Sequence, residues 1–217
     1  MNEKKGGISV DTEHIFPVIK KWLYSEKEIF LREIVSNACD AVTKLRRLIS
    51  LGDETAREIN DDNFKVNVLL DDKAKTITVT DNGIGMTSEE VEKYICQIAL
   101  SGALEFIEKY EGTENSDSGI IGHFGLGFYS AFMVSSTVEV FTRSYKGGDA
   151  VKWICGEDGA YEMYICDEDE APERGTTIVM HINGEGEEYL SYSKLADILD
   201  KYCAFMTVDI YLTDENA

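Results

Sequence analysis

Apolar residues near the start of the chain recur with the period of an α-helix. Between residues 26 and 50 they are spaced by four, four, three, four and three positions, at Phe30, Ile34, Ala38, Ala41, Leu45 and Leu48. This spacing predicts one long helix with a single buried face, and Gly52 follows as its expected stop. Helical patterns also occur near residues 12–24, 88–98, 102–110 and 191–203.

Short runs that are rich in β-branched residues predict the strands. Residues 64–70 and 75–80 are joined by a short polar link, and we expect them to form a hairpin. Further strands are expected near residues 136–145, 149–155, 160–166, 175–182 and 207–212. Because few strands alternate with helices, the pattern favours an α+β fold, in which an antiparallel-rich sheet carries helices on one face.

The pattern predicts a single domain. The chain has only two prolines, Pro17 and Pro172, and no linker-like or repeated segment divides it. One domain spanning residues 1–217 is therefore expected. Residues 111–119, EGTENSDSG, lack an apolar period and predict a mobile loop.

The composition narrows the class of protein. Lys and Arg total 21 against 41 Asp and Glu, and this net charge of −20 disfavours general binding to nucleic acids or acidic membranes. The hydrophobic fraction of 43% is enough for a core. No apolar run reaches the about 18 residues of a membrane span, and the start lacks a secretory signal, so we expect a cytoplasmic protein. Five scattered cysteines without a CxxC pair argue against a disulfide framework or a zinc site.

Two polar residues border the buried face of the long helix. Glu33 and Asn37 are four residues apart, so they share a helix face beside the apolar stripe. An acid and an amide at this edge could serve as a general base and as a ligand for an ion or a phosphate. An ordinary polar helix border has the same pattern, so this segment alone leaves both interpretations open.

Three glycine-containing turns are the other candidates for chemistry. Asp81 follows a strand in DNGIGMT, whose glycines permit close backbone approach, although an ordinary strand-ending turn would explain the pattern as well. Residues 122–130, GHFGLGFYS, have GxxGxG spacing ahead of an apolar helix, where backbone N–H groups could cradle an anion. This spacing is neither the dinucleotide-binding GxGxxG nor a phosphate-binding GK[ST] loop. Residues 175–177, GTT, open a strand and are by themselves an ordinary turn.

Taken together and in order, these segments resemble the nucleotide-binding domain of the ninety-kilodalton heat-shock chaperones, in the bacterial form. The stretches SEKEIFLREIVSNACDAVTKLR, TDNGIGMT and IIGHFGLGFYSAFMV carry the resemblance, which covers about residues 8–213. The chain also resembles the wider superfamily of gyrase, histidine-kinase and mismatch-repair ATPases. The resemblance implies a two-layer α/β sandwich with a mixed, mostly antiparallel sheet. It also implies a slow, Mg²⁺-dependent ATPase that hydrolyses ATP to ADP and acts in protein folding and the stress response.

The resemblance further implies a role for each matching residue. Asp81 would accept a hydrogen bond from the adenine amino group, with help from Gly85 and Thr176. Glu33 would be catalytic by polarising the attacking water, and Asn37 would complete the Mg²⁺ shell together with phosphates and water. The remaining contacts would come from apolar walls, at Ala41, Ile77, Met86 and Phe128, and from backbone N–H groups of the glycine loop, at Gly122, Gly125, Leu126 and Gly127.

The family also has parts beyond the nucleotide pocket. Residues 94–125 would form a lid that closes over ATP and gates the chaperone cycle. The resemblance implies dimerisation through a C-terminal domain and hydrolysis with an arginine from a middle domain, and we expect neither part within residues 1–217. We therefore expect a monomeric, very slow ATPase domain, and a full-length parent that is a homodimer and binds unfolded client proteins.

Three residues depart from the family's pattern. Leu100 replaces a lysine that faces the phosphates, Cys96 replaces a glycine of the lid hinge, and His123 replaces a glutamine of the glycine loop. We expect weaker phosphate contact unless a base such as Lys44 substitutes, a stiffer or displaced lid, and a pH-dependent affinity. Replacing Leu100 by Lys is predicted to tighten binding of ATP relative to ADP.

Two alternatives stay open at the level of sequence. One is another ATPase of the same superfamily, such as a topoisomerase or a sensor kinase. Against it, the chain shows no basic surface and no helix with a phospho-accepting histidine. The other is an interaction module that has lost its nucleotide; the altered hinge favours it, whereas the intact Glu33, Asn37 and Asp81 oppose it.

Overall fold

The computed structural model describes residues 27–59, 63–96, 127–167 and 169–217. In this part of the chain the α-helices are α1 (Ile29–Ser50), α2 (Ser88–Tyr94) and α3 (Tyr192–Cys203). Short 3-10 helices cover Ala56–Glu58, Gly127–Met133 and Glu187–Tyr189. The strands are β1 (Lys65–Asp71), β2 (Thr76–Asp81), β3 (Ser135–Arg143), β4 (Val151–Gly156), β5 (Tyr161–Ile165), β6 (Gly175–Ile182) and β7 (Asp209–Asp214).

These strands form one sheet in the order β5-β4-β3-β6-β2-β1-β7. Neighbouring strands are antiparallel except β1 and β7, which run parallel. The predicted hairpin is present, with β1 and β2 paired from Val66 opposite Asp81 to Asp71 opposite Thr76. The mixed, mostly antiparallel sheet confirms the α+β prediction.

The helices cover one face of this sheet. Buried and partly exposed side chains alternate along β1, β2 and β3, as in strands with one face in a core. Helix α1 packs on β1, β2 and α3, and Leu31, Val35 and Val42 widen its predicted buried stripe. The core therefore lies between α1 and the sheet, and the polar border of α1 runs along the edge of that core.

The observed elements differ from the predicted ones mainly at their ends. Helix α1 begins at Ile29 rather than near residue 26. The apolar stretch after the glycine loop forms a 3-10 helix, Gly127–Met133. Its Ser130 hydroxyl donates a hydrogen bond of 2.5 Å to the Gly127 carbonyl, a local bond that competes with regular helical pairing. The predicted helices near 12–24 and 102–110 and the loop at 111–119 lie outside the described residues.

None of the helices in the described segments combines the length and the apolar character that a membrane crossing requires. The five cysteines all lie in described segments, and each carries a thiol outside any disulfide. Burial raises the pKa of the Cys39 and Cys155 thiols to about 12, so both are protonated at neutral pH.

Candidate functional site

Glu33, Asn37 and Ala41 follow one another along one edge of α1. They are spaced by four residues, and each is partly exposed whereas Ile34 and Ala38 between them are buried. At 1.5 Å per residue, Glu33 and Ala41 are separated by about 12 Å along the helix axis. The edge therefore carries an acid at one end, a small apolar side chain at the other, and an amide between them.

Asp81 ends β2 as a buried carboxylic acid. Its residue is only 4% exposed, and its Oδ1 accepts a hydrogen bond of 2.8 Å from the Gly83 backbone N–H. Burial raises the pKa of Asp81 to about 7, although the backbone N–H groups of Gly83 and Thr176 and the charge of Arg174 act to lower it. The carboxyl group is thus oriented by the protein and close to half-ionised at neutral pH.

Gly83 allows the turn after Asp81 to lie directly on α1. A side chain at Gly83 would meet the α1 backbone at Ala41 and Val42, whose nitrogen would lie only 2.5 Å from an added Cβ. In the same turn, the Ile84 N–H donates a hydrogen bond of 3.1 Å to the Ala41 carbonyl. The Asp81 turn and the Ala41 end of the α1 edge are therefore held against each other.

Two glycines with positive φ allow strands β3 and β6 to approach the Asp81 turn closely. Gly85 has φ of +58°, and an added Cβ would overlap the Arg143 carbonyl at the end of β3. Gly175, with φ of +106°, begins β6, and an added Cβ would overlap the Asp81 carbonyl. Only glycine adopts such backbone angles at little cost. Close contacts at both positions thus hold β3 and β6 against the turn.

A threonine pair connects these strands. The Thr142 hydroxyl donates to the Gly175 carbonyl at 3.0 Å and accepts from the Met86 N–H at 3.0 Å. The Thr142 and Thr176 hydroxyls are 2.9 Å apart. Since the single proton of Thr142 goes to Gly175, Thr176 must donate to Thr142, which leaves acceptor lone pairs on Thr176. Thr176 and the Asp81 carboxyl group then form one small acceptor surface.

Glu33 lies against the start of the 3-10 helix Gly127–Met133. A side chain at Gly127 would overlap Oε2 of Glu33, so the carboxylate occupies the space above this glycine. The Glu33 side chain is 22% exposed, and burial raises its pKa, opposed by Arg32 and reinforced by Asp40. Glu33 is thereby adjacent to Gly127, which is the one glycine of the predicted GxxGxG loop that lies within the described residues.

Lys44 is the basic residue expected to substitute for the lysine that the resemblance implies at position 100. Burial lowers the pKa of Lys44, while the nearby carboxylates of Asp40 and Glu90 raise it. The cation therefore lies among acids at the side of α1, and its charge is partly offset by theirs.

The other predicted residues fall into two groups. Met86 and Phe128 are partly buried and pack on the core, whereas Ile77 is completely buried. Phe128 also makes an edge-to-face contact with Trp153, at 5.6 Å between ring centroids. Several residues lie outside the described segments: Gly122, Gly125 and Leu126, the departures Leu100 and His123, and the lid beyond Cys96.

Sequence reasoning missed two residues at this site. Thr142 takes an inward position of β3 after Val138 and Val140, so a polar residue within a buried stripe is the signal that could reveal it. Arg174 contacts the Asp81 turn through a backbone carbonyl, and no spacing in the sequence indicates that contact.

Comparisons with known proteins agree with this architecture. Residues 24–156 match the family model described as histidine kinase-, DNA gyrase B-, and HSP90-like ATPase. A chaperone protein HtpG of Porphyromonas gingivalis is 56% identical over 95% of the chain, and one of Bacteroides fragilis is 52% identical over the same share. A chaperone protein HtpG of Idiomarina loihiensis is 40% identical over 98% of the chain.

These alignments cover only part of each relative. The chain spans 29% of the Porphyromonas and Bacteroides proteins and 33% of the Idiomarina protein. The resemblance to the ninety-kilodalton heat-shock chaperones is nevertheless confirmed over nearly the whole chain, and the family model covers more than half of it. The chain belongs to the histidine kinase-, DNA gyrase B-, and HSP90-like ATPase family.

Proposed function

We propose that this domain binds adenine nucleotides along the α1 edge and hydrolyses ATP slowly as part of a chaperone. The observation that carries the proposal is the buried, backbone-oriented Asp81 carboxyl group at one end of that edge, whose cross-strand partner on β6 is Thr176. An acceptor-only carboxylate suits the amino group of adenine and disfavours guanine, which presents a carbonyl at the equivalent position.

The opposite end of the edge suits the phosphates. Glu33 and Gly127 lie there, about 12 Å from Ala41 along the helix, which suits an elongated ligand with a base at one end and phosphates at the other. Backbone N–H groups of the glycine loop, at Gly122, Gly125, Leu126 and Gly127, would receive the phosphates. Lys44 lies three residues beyond Ala41, at the Asp81 end of the edge, so its cation would act on the phosphates only over a distance.

Asn37, between the two ends, would hold Mg²⁺ together with the phosphates and water. Within the described residues no group of three or more His, Cys, Asp or Glu could hold a metal, so most ligands would come from the nucleotide. Mg²⁺ accepts such a site because it keeps several waters and needs few protein ligands. When bound, the ion would neutralise charge on the phosphate oxygens.

Glu33 would orient the attacking water and accept its proton. Its raised pKa makes the carboxylate a stronger base than a solvent-exposed glutamate, which is what a general base near neutral pH requires. Water attacks the terminal phosphorus, the bond to ADP breaks, and the proton passes to Glu33. Closure of residues 94–125 over the nucleotide would exclude bulk water and couple this step to the chaperone cycle. In the full-length protein, we expect dimerisation and client binding to lie outside this domain.

Single-turnover hydrolysis of ATP by Glu33→Gln tests this assignment. The variant should bind ADP with unchanged affinity, because the adenine end is intact, and hydrolyse ATP about a hundredfold more slowly or worse. Glu58→Gln, at an exposed glutamate of the 3-10 helix Ala56–Glu58, is the control and should behave as wild type. Unchanged hydrolysis by Glu33→Gln would contradict the catalytic role, and failure of the wild-type domain to bind nucleotide would favour a nucleotide-free interaction module.

A further inference from the structure

We propose that Arg174 is a positioning residue for adenine recognition, acting through the turn that carries Asp81. Its Nε donates a hydrogen bond of 2.9 Å to the Asn82 carbonyl, directly after the carboxyl group that would meet the base. This role rests on the proposed adenine site. It extends that site to a residue that contacts neither the base nor the phosphates.

The side chain of Arg174 is itself held in place. Its guanidinium lies over the Phe64 ring, 5.6 Å from the centroid, and Phe64 is buried just before β1. A second guanidinium, that of Arg46 on α1, lies 5.2 Å from the same centroid and donates to the Thr207 carbonyl. A planar guanidinium can stack and donate at once, which an ammonium cannot do as well.

The Asn82 peptide is restrained on its other sides too. The Asn82 side chain accepts from the Lys65 N–H at 2.9 Å and donates to the Asn63 carbonyl at 2.8 Å. Gly175, next to Arg174, lies against the Asp81 carbonyl because it has no side chain. The arginine therefore ties the start of β6 to the turn, and losing its bond leaves the Asn82 carbonyl without this donor.

The charge of Arg174 also acts on Asp81. The neighbours of the Asp81 carboxyl group are the N–H groups of Gly83 and Thr176, the Cys39 thiol on α1 and Arg174; across the ladder, its β1 partner is the apolar Val66. The Cys39 thiol is neutral at pH 7, because burial raises its pKa to about 12. Among the described residues, Arg174 is a cation that opposes the rise in the pKa of Asp81.

Removing this cation should raise the pKa of Asp81 further. A protonated carboxyl group accepts fewer hydrogen bonds, and its own O–H needs an acceptor. It therefore binds the adenine amino group more weakly. Adenine nucleotide binding should therefore weaken as the pH falls through the pKa of Asp81. Without Arg174, the weakening should begin at higher pH.

Calorimetric titration of the protein with ADP between pH 6 and pH 9 tests this role, on wild type, Arg174→Gln, Arg174→Lys and Arg46→Gln. For wild type, affinity should rise with pH, reach half of its maximum near pH 7 and level off about one pH unit higher. For Arg174→Gln the whole profile should move to higher pH, and a move of about one pH unit would lower the affinity at pH 7 about fivefold. Arg174→Lys should give a pH profile at the wild-type position but a lower affinity for ADP. Lysine keeps the positive charge and lacks the planar guanidinium that stacks and donates at once.

Arg46→Gln is the matched control, because it removes the other cation from the same ring but contacts Thr207 rather than Asn82. It should leave the position of the profile unchanged. A profile at the wild-type position in folded Arg174→Gln, even with uniformly lower affinity, would overturn the inference. If Arg174→Gln fails to fold, a profile displaced to higher pH in Arg174→Lys would overturn it equally. Undiminished ADP binding by Asp81→Asn would instead overturn the adenine site itself.

Discussion

A buried carboxyl group such as that of Asp81 costs the empty domain stability. Burial outweighs two backbone hydrogen bonds and an arginine, so the pKa of Asp81 rises from 3.8 to about 7. The cost is absent below about pH 4, grows between pH 4 and pH 7, and is complete above pH 7. Such a cost is typical of a group kept for binding rather than for folding.

Asp81→Asn should therefore stabilise the empty domain above pH 7 and have little effect near pH 4. Asparagine keeps an acceptor for the Gly83 N–H and removes the buried charge, but its NH2 group replaces an acceptor that the Thr176 N–H also uses. The gain should therefore be smaller than the about 4 kcal/mol that roughly 1.4 kcal/mol per pKa unit gives. Urea unfolding of wild type and variant across this pH range measures the difference.

The matched control is Asp71→Asn. Asp71 ends β1, and its Oδ1 accepts hydrogen bonds from the backbone N–H groups of Lys73 and Ala74. These bonds lower the pKa of this partly exposed carboxylate, so its stabilising contribution is present above its unfolded pKa and is lost as the pH falls. Asp71→Asn should accordingly destabilise at neutral pH. Equal effects of the two substitutions at pH 8 would contradict the burial argument for Asp81.

Gly127→Ala should impair hydrolysis more than nucleotide binding. The added methyl group would overlap the Glu33 carboxylate, whereas the Asp81 end of the site is remote from it. A displacement of about 1 Å in a catalytic group can cost about a hundredfold in rate. Single-turnover hydrolysis and ADP calorimetry measure the two effects.

Gly184→Ala provides the comparison, since nothing lies within 4 Å of a Cβ at that position. It should behave as wild type in both assays. If Gly127→Ala hydrolyses ATP at the wild-type rate, Glu33 is not the group that orients the water.

At the scale of elements, sequence periodicity was sufficient for α1 and for the β1–β2 hairpin, because each has one strongly apolar face. The 3-10 form of Gly127–Met133 was not foreseen, because an apolar run after glycines does not distinguish this form from an α-helix. The role of Gly85 likewise depends on the Arg143 carbonyl, which is distant in sequence. Contacts between segments that are distant in sequence, rather than local propensity, determine where such a glycine is required.

The junction of β3, β6 and the Asp81 turn depends on Thr142. Thr142→Val keeps the shape and β-propensity but leaves the Met86 N–H and the Gly175 carbonyl without their partner. We expect a loss of about 1–3 kcal/mol in the free energy of unfolding and weaker ADP binding, because Thr176 loses its acceptor. Denaturant unfolding and calorimetry measure both.

Thr78→Val, on the partly exposed face of β2, is the equivalent change away from the junction. It should alter the free energy of unfolding by less than about 0.5 kcal/mol. A Thr142→Val variant as stable as Thr78→Val would show that the hydroxyl bridge does not hold the junction.

For the whole molecule, a net charge of −20 opposes an anionic ligand. In the proposed site a polyphosphate would meet backbone N–H groups of the glycine loop, of which Gly127 lies in the described segments, rather than a basic surface. Local donors thus have to overcome a repulsive field. Composition alone disfavours nucleic acid as a general partner. The order of the motifs was needed to predict a phosphate ligand, since no single turn was specific.

Association of ADP should accordingly speed up with salt at constant Mg²⁺. Raising the ionic strength from about 0.01 M to about 0.15 M shortens the Debye length from about 30 Å to about 8 Å and screens the repulsion. Stopped-flow kinetics measure the association rate, and uncharged adenosine, whose rate should not change, is the control. A rate for ADP that falls with salt would indicate that a basic surface steers the nucleotide.

The proposed contact between Asp81 and adenine is tested most directly by calorimetry of Mg-ADP with wild type, Asp81→Asn and Asp71→Asn. Wild type and Asp71→Asn should bind with the same affinity, because the Asp71 turn lies at the far end of the hairpin. Folded Asp81→Asn should show no measurable binding. Binding by Asp81→Asn at the wild-type affinity would place the base elsewhere and contradict the account.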